Sequence, residues 1–418
     1  MRCPDPIVSN PSRRTFLRYA GLAAAAPIFT EAHFARAALK AAKPSSAIQG
    51  MPTAEMLLHT FLPENAVLIN ANENPLGPSK AARELVANIT AMGGRYDIYN
   101  ETAKLTQIFA AQHNLPEDHV VVYPGSSDPL YFTVLAFTSP TRSLVIADPS
   151  YEAAMRAATV SGATINKVAL TADYAHDVKA MVSADPNAGV IYICNPNNPT
   201  GTLTSRADIL WALEHKPKGS ILMVDEAYIH LSDAEDVIDM VAAGKDIVVL
   251  RTFSKVYGLA GMRCGLALAR PDLLAKIQPF SQNFVPYAAC AAAAISLLDP
   301  DLVPTRKKII ADTRNHTIAW LKSNGYKVIG DSQSNCFMID TGRPGKSVIA
   351  DMQAKNVYIG RTWPVWPNAV RITVGTPADM GAFMTAFKQV MDSPPSTTTA
   401  ALDPLHTLAD PMRHAHFA

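Results

Sequence analysis

Arg251-Thr252-Phe253-Ser254-Lys255-Val256-Tyr257-Gly258-Leu259-Ala260-Gly261-Met262-Arg263 is the stretch on which the reading of this chain turns. It follows the apolar run Ile247-Val248-Val249-Leu250, which reads as a buried strand. One lysine stands between a serine and a glycine-rich turn, and an arginine follows eight positions later. A lysine stripped of water has a depressed pKa and a neutral, nucleophilic amine. Such an amine suits imine chemistry with a carbonyl. Ser254 and Arg263 suit a phosphate that brings that carbonyl. The residues point to a Schiff-base lysine carrying pyridoxal 5′-phosphate; the plainer alternative is a surface lysine after a strand.

Outward from this stretch, short apolar runs alternate with helical spacing. Residues 120–122 lead to Tyr123-Pro124-Gly125-Ser126-Ser127-Asp128, and 143–147 to Asp148-Pro149-Ser150-Tyr151. Residues 190–194 lead to Asn195-Pro196-Asn197-Asn198-Pro199-Thr200-Gly201, and 221–224 to Asp225-Glu226-Ala227-Tyr228. Further strands are expected at 164–170 and 265–269. The alternation predicts an α/β domain with a mostly parallel sheet covered on both faces. Ligands of open α/β sheets bind beyond the carboxyl ends of the strands, so the polar clusters should meet in one site.

Towards the amino terminus, residues 66–70 form a short apolar run that ends in the loop Asn72-Glu73-Asn74-Pro75. Helical spacing over 81–92 stops at Gly93-Gly94, and a second helix is expected over 101–113. Towards the carboxyl terminus, a long helix over 302–324 precedes strand-like runs at 326–329, 336–339, 357–360 and 370–374, then a helix over 378–391. This reads as a smaller α+β domain. The expected divisions are an N-terminal segment and arm (38–92), a large cofactor-binding domain (93–298), a small domain (299–392) and a disordered tail (393–418) rich in Pro, Thr, Ala and His.

The 418 residues carry 37 basic against 36 acidic side chains, so no basic face for nucleic acid is implied. Residues 1–37 are set aside as a leader. Ser12-Arg13-Arg14-Thr15-Phe16-Leu17-Arg18 looks like a twin-arginine export signal, and Ala35-Arg36-Ala37 like a signal-peptidase site. The apolar run between them, residues 19–29, is too short for stable membrane insertion. The leader implies passage through the twin-arginine machinery to a periplasmic or secreted location. Cys194, Cys264, Cys290 and Cys336 show no metal-type spacing and no short redox pair, and are read as buried free thiols.

The candidate cofactor residues fit one scheme. Asp225, at a strand end, suits the protonated pyridine nitrogen. Asn198 and Tyr228 suit the phenolic oxygen, and Tyr151 suits stacking on the ring. Gly125-Ser126-Ser127 opening a helix, with Ser254 and Arg263, suits the phosphate.

On these residues the chain resembles the fold-type I aminotransferases, most of all their histidinol-phosphate aminotransferase branch. The resemblance runs from about residue 70 to 389 and is carried by Asn72-Glu73-Asn74-Pro75, Asn197-Asn198-Pro199-Thr200-Gly201, Asp225-Glu226-Ala227-Tyr228, Ser254-Lys255 with Arg263, and Arg371-Ile372-Thr373-Val374-Gly375. It implies an aspartate aminotransferase-like fold, with Lys255, Asp225 and Tyr228 as catalytic residues. Cofactor contacts would come from Ser126, Ser127, Tyr151, Asn198, Ser254 and Arg263. Arg371, Arg361, Asn74 and Trp363 would lie at the substrate. Tyr96 resembles the tyrosine of the family's Arg-Tyr-Pro motif, which reaches the neighbouring subunit's cofactor and implies a homodimer. The reaction implied moves an amino group from an amino acid or related amine to a 2-oxo acid. Decarboxylase, lyase or oxidase chemistry on the same scaffold is the alternative, and a non-catalytic binding protein is disfavoured by the intact Lys255, Asp225 and Arg263. Two departures stand out: Asp97 replaces the motif's proline, and Arg361 is followed by Thr362-Trp363-Pro364-Val365-Trp366-Pro367 in place of a more polar loop. The tryptophans fit an aromatic or long apolar substrate side chain; the plainer alternative is that both pack under the small domain.

Overall fold

The computed structural model describes Pro63, residues 65–281 and residues 284–395. The leader, the start of the N-terminal segment and the tail beyond 395 lie outside the described residues. The first elements are β1 (Val67–Ile69), α1 (Lys80–Thr90), α2 (Glu101–Gln112), β2 (Val120–Tyr123) and α3 (Ser127–Phe137). There follow β3 (Ser143–Asp148), α4 (Ala153–Ser161), β4 (Ile165–Ala169), α5 (Val178–Ser183), β5 (Ala188–Cys194) and α6 (Arg206–His215). Next come β6 (Ile221–Asp225), α7 (Ile238–Ala242), β7 (Ile247–Thr252), β8 (Gly265–Leu268), α8 (Pro271–Ile277) and α9 (Tyr287–Leu297). The chain continues through α10 (Leu302–Ser323), β9 (Lys327–Ile329), β10 (Cys336–Asp340), α11 (Gly345–Gln353), β11 (Val357–Ile359), β12 (Ala369–Thr373) and α12 (Pro377–Asp392).

The main sheet has seven strands in the order β2-β8-β7-β6-β5-β3-β4. Only β8 runs against its neighbours, β2 and β7. Alternate residues face opposite sides, as the two-residue strand repeat requires. Ile191, Ile193, Leu222, Val224 and Val249 enter one core, whereas Val190, Tyr192, Met223, Val248 and Leu250 enter the other. Helix α3 places Leu130 and Val134 in the second core, and α9 places Ala289, Cys290, Ala292 and Ala293 in the first. Two covered faces explain why β5, β6 and β7 are continuous apolar runs up to their carboxyl ends rather than alternating.

The carboxyl-terminal strands depart from expectation. Three of the four pair as an antiparallel sheet, β12-β10-β9. The fourth, β11, pairs instead with β1 in parallel, Val67 opposite Val357 and Ile69 opposite Ile359. All three β11 residues are buried, and β1 supplies partners for backbone groups that would otherwise lack water or a bond. The pairing brings the start of the Asn72 loop beside Gly360, whose missing side chain matters: a Cβ there would lie 2.6 Å from the Arg371 carbonyl and 3.3 Å from Arg371 Nε. The described residues from 65 to 395 belong to one compact unit. The cysteines Cys194, Cys264, Cys290 and Cys336 are buried and free.

Candidate active site

The polar clusters do converge at the carboxyl ends of the sheet. Register sets Asp225 of β6 beside Cys194 of β5 and Leu250 of β7. It sets Gly265 of β8 beside Tyr123 of β2 and Thr252 of β7. The loops leaving these positions carry Asn198, Tyr228, Ser254 and Lys255, and Gly125 through Ser127. A separate cavity of about 370 Å³, lined by Ile221, Asp246, Arg270 and Lys276 among others, lies at the amino ends of β6 and β7. Arg270 there is already engaged by Asp246 and Asp272.

Lys255 Nζ donates to the Asn72 carbonyl at 2.9 Å and lies 5.3 Å from the centre of the Tyr228 ring. Burial pulls its pKa down to about 8, with the positive charge of Arg371 adding to the effect. Asp225 is wholly enclosed. Its carboxylate accepts from the Tyr192 hydroxyl at 3.0 Å and the Ala227 N–H at 3.1 Å. Burial lifts its pKa to about 6 against the opposing pull of those bonds and of Lys255. An ionised carboxylate has about four lone-pair directions, so Asp225 retains room for a cationic N–H donor. Such a donor would restore the charged form that burial disfavours.

The anion cradle is built by close approach. Gly125 has φ +88°, and a Cβ there would meet Arg263 at 2.1 Å. A Cβ on Gly265 would lie 2.5 Å from the Ser126 nitrogen. Arg263 itself takes a left-handed backbone conformation, φ 62°, and donates to the carbonyls of Ala260 and Pro124. Ser126 precedes α3 without a side-chain cap, so its hydroxyl does not occupy the first-turn N–H groups, which at a helix amino end suit an anion. Ser254 Oγ accepts from Thr252 Oγ1 at 2.9 Å, which leaves the serine's own proton for another partner. Ser127 Oγ and Tyr151 Oη are 3.4 Å apart.

At the other side of Lys255, Arg371 donates to Asn198 Oδ1 at 3.0 Å and to the Asn70 carbonyl at 2.7 Å. Its Nε is buried with no hydrogen-bond partner. A buried guanidinium N–H without a partner is costly, and a bound carboxylate would supply the missing acceptor. Arg361 is paired with Glu152 at 2.5 Å. Trp363 is 1% exposed and donates Nε1 to the Ser150 carbonyl at 3.3 Å. Both arginines lie against its ring, Arg361 at 4.5 Å and Arg371 at 5.7 Å from its centre. Trp363 thus packs with Ile329, Met338 and Ala369 and backs the two cations; Trp366 is partly buried beside Tyr174.

Asn74 is engaged elsewhere: its Nδ2 donates to the Val256 carbonyl and its Oδ1 accepts from the Leu76 N–H. Asn72 is the residue of that loop whose side chain reaches Tyr228. Tyr96 is 90% exposed, with Phe284, itself 91% exposed, at 6.5 Å between ring centres. Asp97 caps α2, accepting from the N–H groups of Glu101 at 2.8 Å and Thr102 at 3.0 Å. An acidic side chain at a helix amino end is stabilising, which gives the residue in place of proline a structural duty.

Sequence reasoning missed Asn72, Glu152 and Tyr192 as site residues, and also the buried pair beneath them, Glu226 with Arg251 at 2.9 Å. Glu226 stood in a quoted motif, but a partner on a different strand leaves no local signal.

The family described as aminotransferase class I and II matches residues 64–387. A histidinol-phosphate aminotransferase from Symbiobacterium thermophilum is 32% identical over 364 residues, 85% of this chain and 98% of that protein. An aromatic amino acid aminotransferase from Rhodococcus jostii is 32% identical over 324 residues, 76% of this chain and 88% of that protein. The solved histidinol-phosphate aminotransferase of Sinorhizobium meliloti, in complex with pyridoxal 5′-phosphate, superposes with a TM-score of 0.71 at 21% identity, covering 84% of this chain and 98% of that one. The chain belongs to the class I and II aminotransferase family.

Proposed function

We propose that this aminotransferase takes an aromatic or long apolar amino acid as donor and a 2-oxo acid as acceptor, with pyridoxal 5′-phosphate held at Lys255. The observation that carries the reading is a buried, desolvated Lys255 between the enclosed Asp225 and an Arg371 whose Nε has no partner. The residues fit the cofactor. Asp225 would pair a cationic ring nitrogen, Tyr228 and Asn198 would hold the phenolic oxygen, and Tyr151 would lie against the ring. Gly125, Ser126, Ser127, Ser254 and Arg263 would hold the phosphate. When bound, the cofactor supplies an electron sink for charge developing at the donor's Cα.

The chain's own residues do the rest. Lys255 is a neutral amine over a useful pH range, so it takes and returns a proton at the donor's Cα. Arg371 would bind the donor carboxylate through its unfilled Nε and so orient the donor's Cα. Enclosure of Asp225 and Tyr228 excludes water that would compete with these bonds.

Charge selects the donor class. Arg361 and Arg371 bring two positive charges and Glu152 removes one, since it already pairs Arg361. One unmatched cation suits a single carboxylate. A phosphate monoester carries close to two negative charges near neutral pH, and Glu152 opposes it. The charge balance therefore favours a donor whose side chain is uncharged, apolar or aromatic. Mixing the loaded enzyme with phenylalanine, alanine or histidinol phosphate and following cofactor absorbance tests this. Phenylalanine should react with the highest kcat/KM; histidinol phosphate leading by a wide margin would overturn the donor assignment. Glu152→Gln should raise kcat/KM for donors with anionic side chains.

Two wider readings belong with this one. The enzyme acts as a homodimer, with Tyr96 reaching the partner's cofactor phosphate. The exposure of Tyr96 and Phe284 supports a surface that a second copy covers. A fully active monomer would contradict it. The protein is exported folded through the twin-arginine machinery to the periplasm or beyond. The Arg13-Arg14 leader precedes the family match, which begins at residue 64. Replacing both arginines with lysine should keep the protein in the cytoplasm, and unchanged export would contradict the reading.

A further inference from the structure

Asn72 is 1% exposed and holds a left-handed backbone, φ 53°. It joins the three parts of the site. Its carbonyl accepts from Lys255 Nζ at 2.9 Å and Asn335 Nδ2 at 3.1 Å. Its backbone N–H donates to Thr373 Oγ1 at 2.9 Å, two residues along β12 from Arg371. Its side chain lies between Thr373 Oγ1, at 3.0 Å from Oδ1, and Tyr228 Oη, at 3.0 Å from Nδ2, with Cys336 Sγ at 3.2 Å from Nδ2.

We infer that Asn72 and Thr373 form a positioning pair that sets the direction of the Tyr228 hydroxyl proton. The direction follows link by link. Thr373 Oγ1 accepts the backbone N–H of Asn72, so its own proton is available and goes to Asn72 Oδ1. That bond fixes Oδ1 toward Thr373 and turns Nδ2 toward Tyr228. An amide nitrogen only donates, so Tyr228 Oη is the acceptor in this bond and its own proton must be given elsewhere. With the amide reversed, Nδ2 would compete with the backbone N–H for Thr373 Oγ1, and Tyr228 would give its proton to Oδ1. Thr373 therefore decides between a tyrosine that donates into the site and one that donates away from it.

The inference rests on the placement of the cofactor's phenolic oxygen beside Tyr228. A proton donated to that oxygen stabilises its deprotonated form and lowers the pH at which the bound cofactor's absorbance changes. The test is a pH titration of that absorbance in the loaded enzyme. Thr373→Val carries no change of charge, and it removes the proton that fixes the amide. It should raise the absorbance midpoint by about one pH unit, roughly the effect of one hydrogen bond to a charged group. Thr373→Ser keeps the hydroxyl and should titrate like the parent. In a Tyr228→Phe background, Thr373→Val should add no further shift. If Thr373→Val does not fold, Asn72→Asp replaces it: its carboxylate accepts the Tyr228 proton, so its shift should be larger in the parent than in Tyr228→Phe. A shift that is equal in both backgrounds, or a Thr373→Val titration like the parent's while Tyr228→Phe is displaced, overturns the inference alone. A Tyr228→Phe enzyme that titrates like the parent overturns the placement of the cofactor and this inference with it.

Discussion

Under Lys255 and Asp225 every residue of β5, β6 and β7 is buried, whereas the loop from Arg361 to Pro367 leaves Pro364, Val365 and Pro367 exposed. The floor of the site is gripped from both faces of a seven-stranded sheet, so a floor side chain has its angle set by close packing. The rim is a short loop tied by Arg361 to Glu152 and by Trp363 Nε1 to the Ser150 carbonyl, with the Trp363 ring as its one deeply packed anchor. A change in the floor should disturb the chemistry whatever the donor. A change in the rim should alter which donor is preferred and leave the chemistry intact.

The sharpest break is expected at Lys255. Lys255→Ala should lower turnover by more than about three orders of magnitude, since it removes the nucleophile and the proton carrier together. Circular dichroism should show a folded protein, and turnover near the parent's would remove Lys255 from the chemistry. Arg371→Ala tests where floor meets rim. It should cost about 3 kcal/mol in kcat/KM, the upper range for a hydrogen bond to a charged group. The loss should be equal for phenylalanine and alanine, because both carry the carboxylate. Trp363→Ala belongs to the rim. It should reduce kcat/KM for phenylalanine about tenfold more than for alanine, because the cavity left behind Arg361 and Arg371 lets the rim that meets a large side chain give way. Equal losses would place Trp363 with the floor. The smallest effect is one of pH. Lys255 has its pKa lowered to about 8, so the neutral amine fraction rises with pH and levels off above that value. Loading of cofactor-free protein, followed by absorbance, should therefore speed up roughly tenfold per pH unit below about 8 and then plateau. A rate still climbing at pH 10 would mean that burial does not shift this lysine.

The same contrast explains what the sequence disclosed. Floor residues announce themselves because an apolar run ends and polar residues follow: Val224 then Asp225, Cys194 then Asn195, and Leu250 then Arg251 and Thr252, with Ser254 and Lys255 just past Phe253. The alternation also revealed the covered sheet, although the antiparallel course of β8 leaves no trace in composition. The pairing of β1 with β11 depends on strands at opposite ends of the described chain, so local pattern was silent. Helix α9 was not anticipated because its alanine-rich sequence is buried on most sides and shows no polar stripe. Glu152 lay next to the candidate Tyr151, yet its partner Arg361 is distant in sequence. Asn72 was quoted only as part of a loop motif; its value lies in bonds to Thr373, Tyr228 and Lys255 that only the folded chain brings together.

The central claim is that the floor delivers one lysine to the cofactor. Borohydride reduction of the loaded enzyme, followed by proteolysis and peptide mass mapping, tests it most directly, because reduction makes the lysine–cofactor bond permanent. The label should appear on the peptide containing Ser254-Lys255-Val256 and on no other. A label on a different lysine, or an enzyme that keeps its cofactor absorbance yet yields no labelled peptide, would contradict the account.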